Sequence, residues 1–176
     1  MRSDARRNRA RLIEVAAAAF RDEGLDVGVD EIARRAEVGV ATLYRHFPAK
    51  TDLILAVTQV VIDDLEHAAT DALQRPERVL SDFLSAAMRV QCRNRGFLDA
   101  LARHDLPGDV RDELGRRTVA ILEPVVDAAK RAGTFRPELD ATDLLVIVRM
   151  LGVVSAAPQR RSPEPYLATL LRGLSP

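Results

Sequence analysis

The sequence predicts an all-α protein, with an N-terminal three-helix unit followed by a C-terminal helical bundle. Apolar residues recur three and four positions apart along most of the chain, which is the spacing of one face of an α-helix. Glycine and proline fall between these segments, where helices usually end. The composition agrees, because 47% of the residues are hydrophobic and only 4% are aromatic, so Ala, Val, Leu and Ile must fill the core.

Net charge gives no indication of a partner, because Lys plus Arg and Asp plus Glu both number 26 among the 176 residues. This length suits one domain or two small ones and allows about 70% of the unfolded surface to be buried. The distribution of charge is more informative. The first eleven residues contain five arginines against Asp4 alone, so a local basic segment can meet phosphates although the whole protein is neutral.

The sequence favours a cytoplasmic protein that does not enter a membrane. Cys92 is the single cysteine, which excludes an intramolecular disulfide and fits a reducing compartment. We expect no secretion, because no N-terminal segment combines a charged start with an apolar run and a small-residue cleavage site. The most apolar stretch, Leu144 to Val154, is too short to span a bilayer and contains Arg149.

Residues 1–9 are polar and rich in arginine, and two interpretations of them stay open. They form either an unstructured, solvated tail or an arm that contacts phosphates or enters the minor groove. The apolar spacing then predicts a first helix from about Ala10 to Glu23, which Gly24 ends. The core predicted for the three-helix unit consists of Leu12, Ala16, Phe20, Ile32, Val38, Leu43 and Phe47. We expect this small unit to need the following helix for stability.

The stretch from Val29 to Lys50 has the pattern of two short helices around a tight turn. Ile32, Ala33 and Ala36 place apolar side chains on one face of the first helix. The pattern breaks at residues 37–39, where we expect Gly39 to supply the backbone freedom of the turn. A second helix is predicted from about Val40 to Phe47.

The second of these short helices has the surface that a DNA-recognition helix requires. With Leu43 at the centre of the buried face, helical geometry places Phe47 and Val40 beside it and Ala41 and Arg45 opposite. The exposed side is therefore short, partly basic and able to form hydrogen bonds. Such a helix is slim enough to enter a major groove about 12 Å wide.

The spacing of residue types from Arg11 to Ala56 resembles the helix-turn-helix signature of TetR-type transcriptional repressors. The residues that carry the resemblance are Ile32-Ala33, Val38-Gly39, Thr42-Leu43-Tyr44-Arg45-His46-Phe47 and Lys50. Three positions depart from the family pattern. Gly28 stands where the family usually has a capping Ser or Thr, Glu37 replaces a common Gly in the turn, and Ala49 replaces a capping residue. These changes weaken helix starts by up to about 1 kcal/mol each.

The resemblance implies a DNA-binding regulator with a DNA-binding domain at residues 1–49 and a ligand-binding and dimerisation domain at residues 50–176. A homodimer would place two recognition helices about 34–36 Å apart, which requires a near-palindromic double-stranded operator. The implied phosphate contacts are Thr42, Tyr44, His46 and Lys50. The candidates for base contacts are Val40, Ala41, Thr42, Tyr44 and Arg45, of which Arg45 is the best because its guanidinium can pair both acceptors of guanine.

Beyond the motif, the apolar spacing predicts further helices that make up the C-terminal bundle. Gly96 is expected to separate the fifth helix from a short sixth one, and Pro124 to bend the seventh or to leave one of its carbonyls without a hydrogen bond. The predicted helices span residues 50–73, 77–94, 97–103, 109–131, 141–154 and 166–174, with a loop rich in Pro and Arg at residues 156–165.

The helix predicted at residues 141–154 is apolar nearly all round, so it needs cover on every side, and a partner subunit is the natural cover. An alternative is that the last two helices are simply core. With the resemblance, we expect a dimer interface at Leu144, Ile147, Leu151, Leu167, Leu170 and Leu171. A small, hydrophobic effector is expected between the fifth, seventh and eighth helices, at Phe83, Ala87, Met88, Gln91, Thr118 and Leu122, unless these residues are ordinary core.

Two other functions compete with a DNA-binding regulator. An enzyme would need a nucleophile with its base, a metal-ligand cluster or a glycine-rich phosphate loop, and the sequence contains none of these, so we expect neither catalysis nor a cofactor or metal. His104 beside Asp105 is interpreted as part of a plain loop. A helical interaction module that never binds DNA is the second alternative.

Overall fold

The computed structural model describes residues 2–154 and 164–176, and the all-α prediction is confirmed within these ranges. Eight α-helices and one short 3-10 turn occur there, without any strand. The helices are α1 (Arg2–Glu23), α2 (Val29–Arg35), α3 (Val40–His46), α4 (Lys50–Leu73), α5 (Val79–Arg103), α6 (Gly108–Arg131), α7 (Ala141–Val154) and α8 (Glu164–Leu174), and the 3-10 turn is Pro76–Arg78. None of these helices is both long enough and apolar enough to cross a membrane.

The chain forms two compact units whose boundary differs from the functional division predicted at residues 49 and 50. The first unit extends to Val61 and also includes Asn94–His104. The second unit comprises Ile62–Arg93 and the chain after His104. Helices α4 and α5 therefore each contribute residues to both units.

The core of the first unit agrees with the apolar spacing of the sequence. Leu12, Ala16, Phe20, Ile32, Leu43 and Phe47 are almost fully buried, and Val38 is half-buried against them. The expected support from the next helix is also present, because Leu53, Ile54 and Val57 of α4 belong to the same core. A further contribution from Phe97 and Ala100 of α5 was not predicted.

Gly96 does not end a helix, contrary to the prediction, because α5 runs without interruption from Val79 to Arg103. A Cβ atom added at Gly96 would lie 2.0 Å from the carbonyl oxygen of Arg21 in α1. The residue is a glycine because two helices approach closely at this point, and an added side chain would collide with backbone. The rings of Phe20 and Phe97 stack beside this contact, with their centroids 6.2 Å apart.

The first helix begins earlier than the sequence predicts. Helix α1 starts at Arg2, so the arginine-rich residues that were interpreted as a tail or an arm belong to a helix from that residue onward. An ion pair between Arg7 and Asp4, one turn apart, supports this extension. The loop predicted at residues 156–165 falls largely on residues 155–163, which lie outside the described part of the chain.

The second unit has its own core, formed mainly by α5, α6 and α7 with the end of α4. Helix α6 passes through Pro124 without interruption. Helix α7 begins with reciprocal hydrogen bonds, because Asp140 accepts the amides of Thr142 and Asp143 while Asp143 accepts the amide of Asp140. These amide donors lower the pKa of the Asp140 carboxyl.

Candidate nucleic-acid interface

The turn between α2 and α3 is a helix-ending motif with a glutamate in the position that usually requires glycine. The amide of Glu37 donates to the carbonyl of Arg34 (3.1 Å), and the amide of Val38 donates to that of Ala33 (3.0 Å), as in a Schellman motif. Glu37 has a φ of 54°, in the left-handed region. The cost of this conformation for an L-residue is about 1–2 kcal/mol.

The expected role of Gly39 in this turn is wrong. Its φ of −62° and ψ of 140° are extended backbone values that any residue adopts. Gly39 instead precedes α3, where its carbonyl accepts the amides of Thr42 and Leu43 at 2.8 and 3.1 Å. The positive φ belongs to Glu37 and not to Gly39. The left-handed conformation is needed directly after the C-cap of α2, and Gly39 lies further on, directly before α3.

Helix α3 has a buried side and an exposed side, as a recognition helix requires. Leu43 and Phe47 are buried in the core of the first unit. The candidate residues are exposed or half-buried, as follows: Val40, Ala41, Tyr44 and Arg45 exposed, and Thr42, His46 and Lys50 half-buried. Val40 is 39% exposed, although the periodicity placed it beside the buried Leu43, and its methyl groups are available to a thymine methyl.

Arg45 lies along its own helix in the free protein. Its Nε donates to the carbonyl of Ala41 (3.2 Å), and its Nη2 donates to the Thr42 hydroxyl (3.0 Å). Both bonds are exposed, so water can replace them at little cost. The guanidinium is therefore held near the centre of the exposed face and can still turn outward.

Two arginines of α1 hold the ends of α3. The guanidinium of Arg11 pairs with the carboxylate of Glu37, with Nη2 and Oε2 2.7 Å apart. Arg9 lies over the ring of Phe47, with its guanidinium carbon 5.3 Å from the ring centroid, which is within the range of a cation–π contact. Sequence spacing missed both contacts, because their partners are 26 and 38 positions away and no local pattern connects them.

An ion-pair network fixes α2 to the end of α1. Glu31 accepts hydrogen bonds from Arg34 and Arg35, and Arg35 also pairs with Glu23. The guanidinium groups of Arg34 and Arg35 lower the pKa of the Glu31 carboxyl from 4.5 to about 2. Both arginines of α2 are thus already partnered within the protein, which leaves α3 and Lys50 as the basic face of the motif.

The starts of the motif helices carry no side-chain caps. Gly28 and Gly39 precede α2 and α3 and offer no hydrogen-bonding side chain. At the start of α4, the amide of Ala49 donates to Asp52 Oδ2 at 2.8 Å, which is half of a capping box. Of the departures noted in the sequence, Gly28 leaves α2 without a side-chain cap, and Ala49 keeps only the backbone-donor half of the capping box.

Comparison with known proteins decides the family. Residues 12–57 match the model described as bacterial regulatory proteins of the tetR family. Residues 75–176, more than half of the chain, match the model described as the C-terminal domain of SbtR-like transcriptional regulators. The chain belongs to the TetR family of transcriptional regulators.

Individual relatives of this TetR-family regulator agree with the assignment. A TetR transcription regulatory protein from Mycobacterium vanbaalenii is 34% identical, with 99% of each chain covered and a TM-score of 0.72. HTH-type transcriptional regulators of Staphylococcus aureus are 42% identical over 64 residues, which is 36% of this chain. The match thus spans 35% of the length of these curated relatives. AibR, 22% identical with 96% and 98% of the chains covered, has the same fold at a TM-score of 0.71.

The structure places most of the predicted effector-site residues of the TetR-family regulator in the packed core of its second unit. Phe83, Ala87, Met88 and Leu122 are buried, while Gln91 and Thr118 are half-buried. The hydroxyl of Thr118 donates to the carbonyl of Leu114 (2.7 Å). A cavity of about 230 Å³ in this unit is lined by other residues, namely Glu77, Arg78, Leu80, Ser81, Thr134, Leu171, Arg172 and Ser175.

The predicted dimer residues lie mostly within the core of the second unit. Leu144, Ile147, Leu151 and Leu167 are buried in the core of the chain itself, and Leu170 and Leu171 are half-buried against it. Helix spacing identifies an apolar stripe but does not tell whether the core of the same chain or a partner subunit covers it. The large apolar side chains that these two helices leave exposed are Val146, Met150 and Tyr166.

Proposed function

We propose that this TetR-family regulator is a cytoplasmic repressor that binds a near-palindromic operator as a homodimer and leaves the DNA when a small, apolar effector binds. The observation that carries the proposal is the exposed face of α3, which presents Tyr44 and Arg45 while Leu43 and Phe47 anchor the helix. In this proposal residues 1–49 contact DNA, with Lys50 at their edge, and residues 50–176 bind the effector and the partner subunit.

The candidate residues divide by the chemistry that each offers to DNA. Arg45 is proposed to pair a guanine in the major groove, with Val40 and Ala41 beside it for contacts with a thymine methyl. Thr42, Tyr44, His46 and Lys50 are proposed to contact phosphates, which position the helix without reading sequence. Thr42 and Tyr44 flank the centre of this face, so each stays a candidate for both kinds of contact.

Effector control has its support in the second unit and in a relative with the same fold. AibR was solved in complex with isovaleryl coenzyme A and operator DNA, so that protein binds both a small molecule and DNA. In this chain the candidate residues Phe83, Ala87 and Leu122 are apolar and fully buried, which favours an apolar group in any site that opens among them. An effector releases DNA only if it binds one conformation more tightly than the other.

The DNA-binding proposal is tested by two substitutions on one face. We expect Arg45→Ala to lower affinity for the chain's own promoter DNA by about 5- to 150-fold, the equivalent of roughly 1–3 kcal/mol, and to relax the preference at one base pair. Lys50→Ala should weaken binding to all sequences similarly and reduce the slope of log affinity against log salt by about 0.9. Fluorescence anisotropy with labelled promoter fragments at several salt concentrations measures both effects.

Arg117→Ala is the matched control, because Arg117 is an exposed arginine of α6 in the second unit. It should leave affinity and salt dependence unchanged. Wild-type protein that binds its promoter no better than unrelated DNA would contradict the repressor proposal. Unchanged DNA binding in both Arg45→Ala and Lys50→Ala would contradict the assignment of α3 as the reading helix.

A further inference from the structure

The turn before α3 is held in a conformation that its own residue does not favour. Glu37 is the non-glycine residue with a positive φ in the described part of the chain. Helix α6 ends in the same hydrogen-bonding motif, but there the left-handed position is occupied by Gly133, with a φ of 69°. Since glutamate lacks the conformational freedom of glycine, this turn relies on contacts from elsewhere, in addition to its own hydrogen bonds, more than the turn at Gly133 does.

Arg11 of α1 supplies such a contact. Its guanidinium lies 2.7 Å from the Glu37 carboxylate, and both side chains are largely exposed. Exposed ion pairs contribute little to the free energy of unfolding, so we do not expect this pair to stabilise the protein as a whole. Its geometric effect is more specific, because it connects the left-handed turn to a helix that belongs to the same core.

The same helix also holds the other end of α3, through Arg9 over the ring of Phe47. Helix α3 has only seven residues, and helices of that length have little stability of their own. The direction of the reading face therefore depends on how α3 is attached: by Leu43 and Phe47 in the core and by the turn that precedes Val40. Arg11 contacts that turn.

The charges argue against a direct contact between Arg11 and DNA. The Glu37 carboxylate already neutralises the guanidinium of Arg11. If Arg11 moved to a phosphate, Glu37 would be left as an unpaired negative charge beside a polyanion. An arginine in this position is better suited to hold the turn than to bind the backbone of DNA.

We propose that Arg11 is a positioning residue for the recognition helix: by pairing with Glu37 it keeps the strained turn in its left-handed conformation and so sets the direction in which α3 presents its reading face. The proposal rests on the proposed function in that α3 is the helix that contacts DNA. It also makes a prediction of its own: if residue 37 is a glycine, the turn needs no support, and Arg11 should become dispensable for DNA binding.

A double-mutant cycle in the full chain tests this dependence, with Arg11→Ala, Glu37→Gly and the double variant. We expect Arg11→Ala alone to weaken binding to promoter DNA by about fivefold, the most that an exposed ion pair of up to about 1 kcal/mol can supply. Glycine adopts the left-handed turn readily, so in the Glu37→Gly background the same substitution should change affinity by less than about twofold. The salt slope should be the same in all four proteins, since no phosphate contact is removed.

Arg21→Ala is the control for the loss of an exposed arginine of α1. Within the described residues the side chain of Arg21 pairs with its neighbour Asp22, so its loss should not affect α3. An equal loss of affinity on Arg11→Ala in both backgrounds, with a salt slope lower by about 0.9, would show a phosphate contact and overturn the proposal. Unchanged affinity in both backgrounds would overturn it as well.

Amide hydrogen exchange in the free protein gives a second readout that does not require DNA. In Arg11→Ala we expect faster exchange at Val38, whose amide closes the turn at 3.0 Å from the Ala33 carbonyl, and at Thr42 and Leu43. In the double variant these amides should exchange as slowly as in Glu37→Gly alone. Unchanged exchange in Arg11→Ala would refute the positioning role even if the wild-type protein bound no promoter DNA, an outcome that would refute the proposed function separately.

Discussion

Single residues of the DNA-binding motif are held by side-chain pairs rather than by helix caps. Helices α2 and α3 start after glycines without capping side chains, whereas α7 in the second unit starts with the reciprocal Asp140–Asp143 pair. In α2, the hydrogen bonds of Glu31 with Arg34 and Arg35 compensate in part for the missing side-chain cap. The motif is therefore sensitive to the protonation of a carboxylate.

That sensitivity predicts an acid-dependent effect of Glu31→Gln. The pKa of Glu31 falls from 4.5 to about 2 on folding, so its charge stabilises the folded protein fully above pH 4.5 and the contribution disappears as the pH falls towards 2. We expect the variant to have a lower free energy of unfolding than the wild type at neutral pH and an equal one near pH 2. Urea unfolding at a series of pH values measures the difference.

Glu14→Gln provides the comparison, because Glu14 is an exposed carboxylate of α1 for which the described residues provide no ion pair. Its effect should be small across the same pH range. If the difference between the wild type and Glu31→Gln stayed constant from pH 7 to pH 2, the ion-pair network would not be the cause of the stabilisation.

The residues that sequence spacing predicts well are those whose position depends on local periodicity. Leu43 and Phe47 are buried because they share one face of a short helix, and that face can be read from the spacing. The periodicity placed Val40 too near the buried side. Val40 is the first residue of α3, so no preceding helical turn covers its side chain. Arg11 and Glu37 could not be paired from the sequence, because only the packing of α1 against the motif brings them together.

At the scale of whole helices, glycine proved ambiguous in the sequence. Gly24 and Gly133 follow helix ends and have positive φ values of 84° and 69°, as their positions predict. Gly96 has the same appearance in the sequence but lies within α5, where it allows the backbone of Arg21 to approach. A helix stop and a helix crossing use the same residue for different reasons, and only the neighbouring helix distinguishes them.

The crossing predicts that Gly96→Ala is strongly destabilising. The added methyl group would lie 2.0 Å from the Arg21 carbonyl oxygen, so α1 and α5 must move apart. We expect a loss of about 1–3 kcal/mol or more in the free energy of unfolding, as for other overpacked cores. Chemical denaturation monitored by circular dichroism measures it.

Gly115→Ala is the natural control, because a Cβ at Gly115 of α6 has no atom within 4 Å. This substitution should stabilise the protein by about 0.5–1 kcal/mol, since alanine favours the helix. A tolerated Gly96→Ala would mean that the two helices can separate without loss of packing, and the explanation of Gly96 would be wrong.

For the whole molecule, the proposed homodimer raises the question of which surface would join its two subunits. Val146 and Met150 lie one helical turn apart on α7 and are 51% and 56% exposed, and Tyr166 of α8 is also exposed. Large apolar side chains that stay exposed on the surface of a folded chain are typical of an interface. We propose that these residues, rather than the buried leucines predicted from the sequence, contact the partner subunit.

The interface assignment predicts that Met150→Glu gives a folded monomer. A charge at the centre of an apolar interface would be buried without a partner, so dimerisation should weaken by at least about tenfold. Sedimentation velocity over a range of concentrations measures the change. Val60→Glu is the control, because Val60 of α4 is 42% exposed in the other unit. A dimer that persists in Met150→Glu would place the interface elsewhere.

The fold and the DNA-binding motif could be predicted at this scale, whereas the effector site could not. Fixed spacing in α2 and α3 follows from the shape of the major groove, which is the same for every protein of this kind. The effector site has no such constant partner. Residues such as Phe83 and Leu122 would be apolar whether they lined a pocket or filled a core, so their type does not decide between these roles.

The first unit is assembled from two separate stretches of sequence, and this limits how such a protein can evolve by recombination. Residues Asn94–His104 complete the core of the first unit, although they follow the first stretch of the second. A crossover after Val61 that introduced a foreign second half would also replace Gly96 and Phe97. The incoming sequence would need a glycine and an aromatic residue at the same two positions of its helix to close the inherited DNA-binding unit.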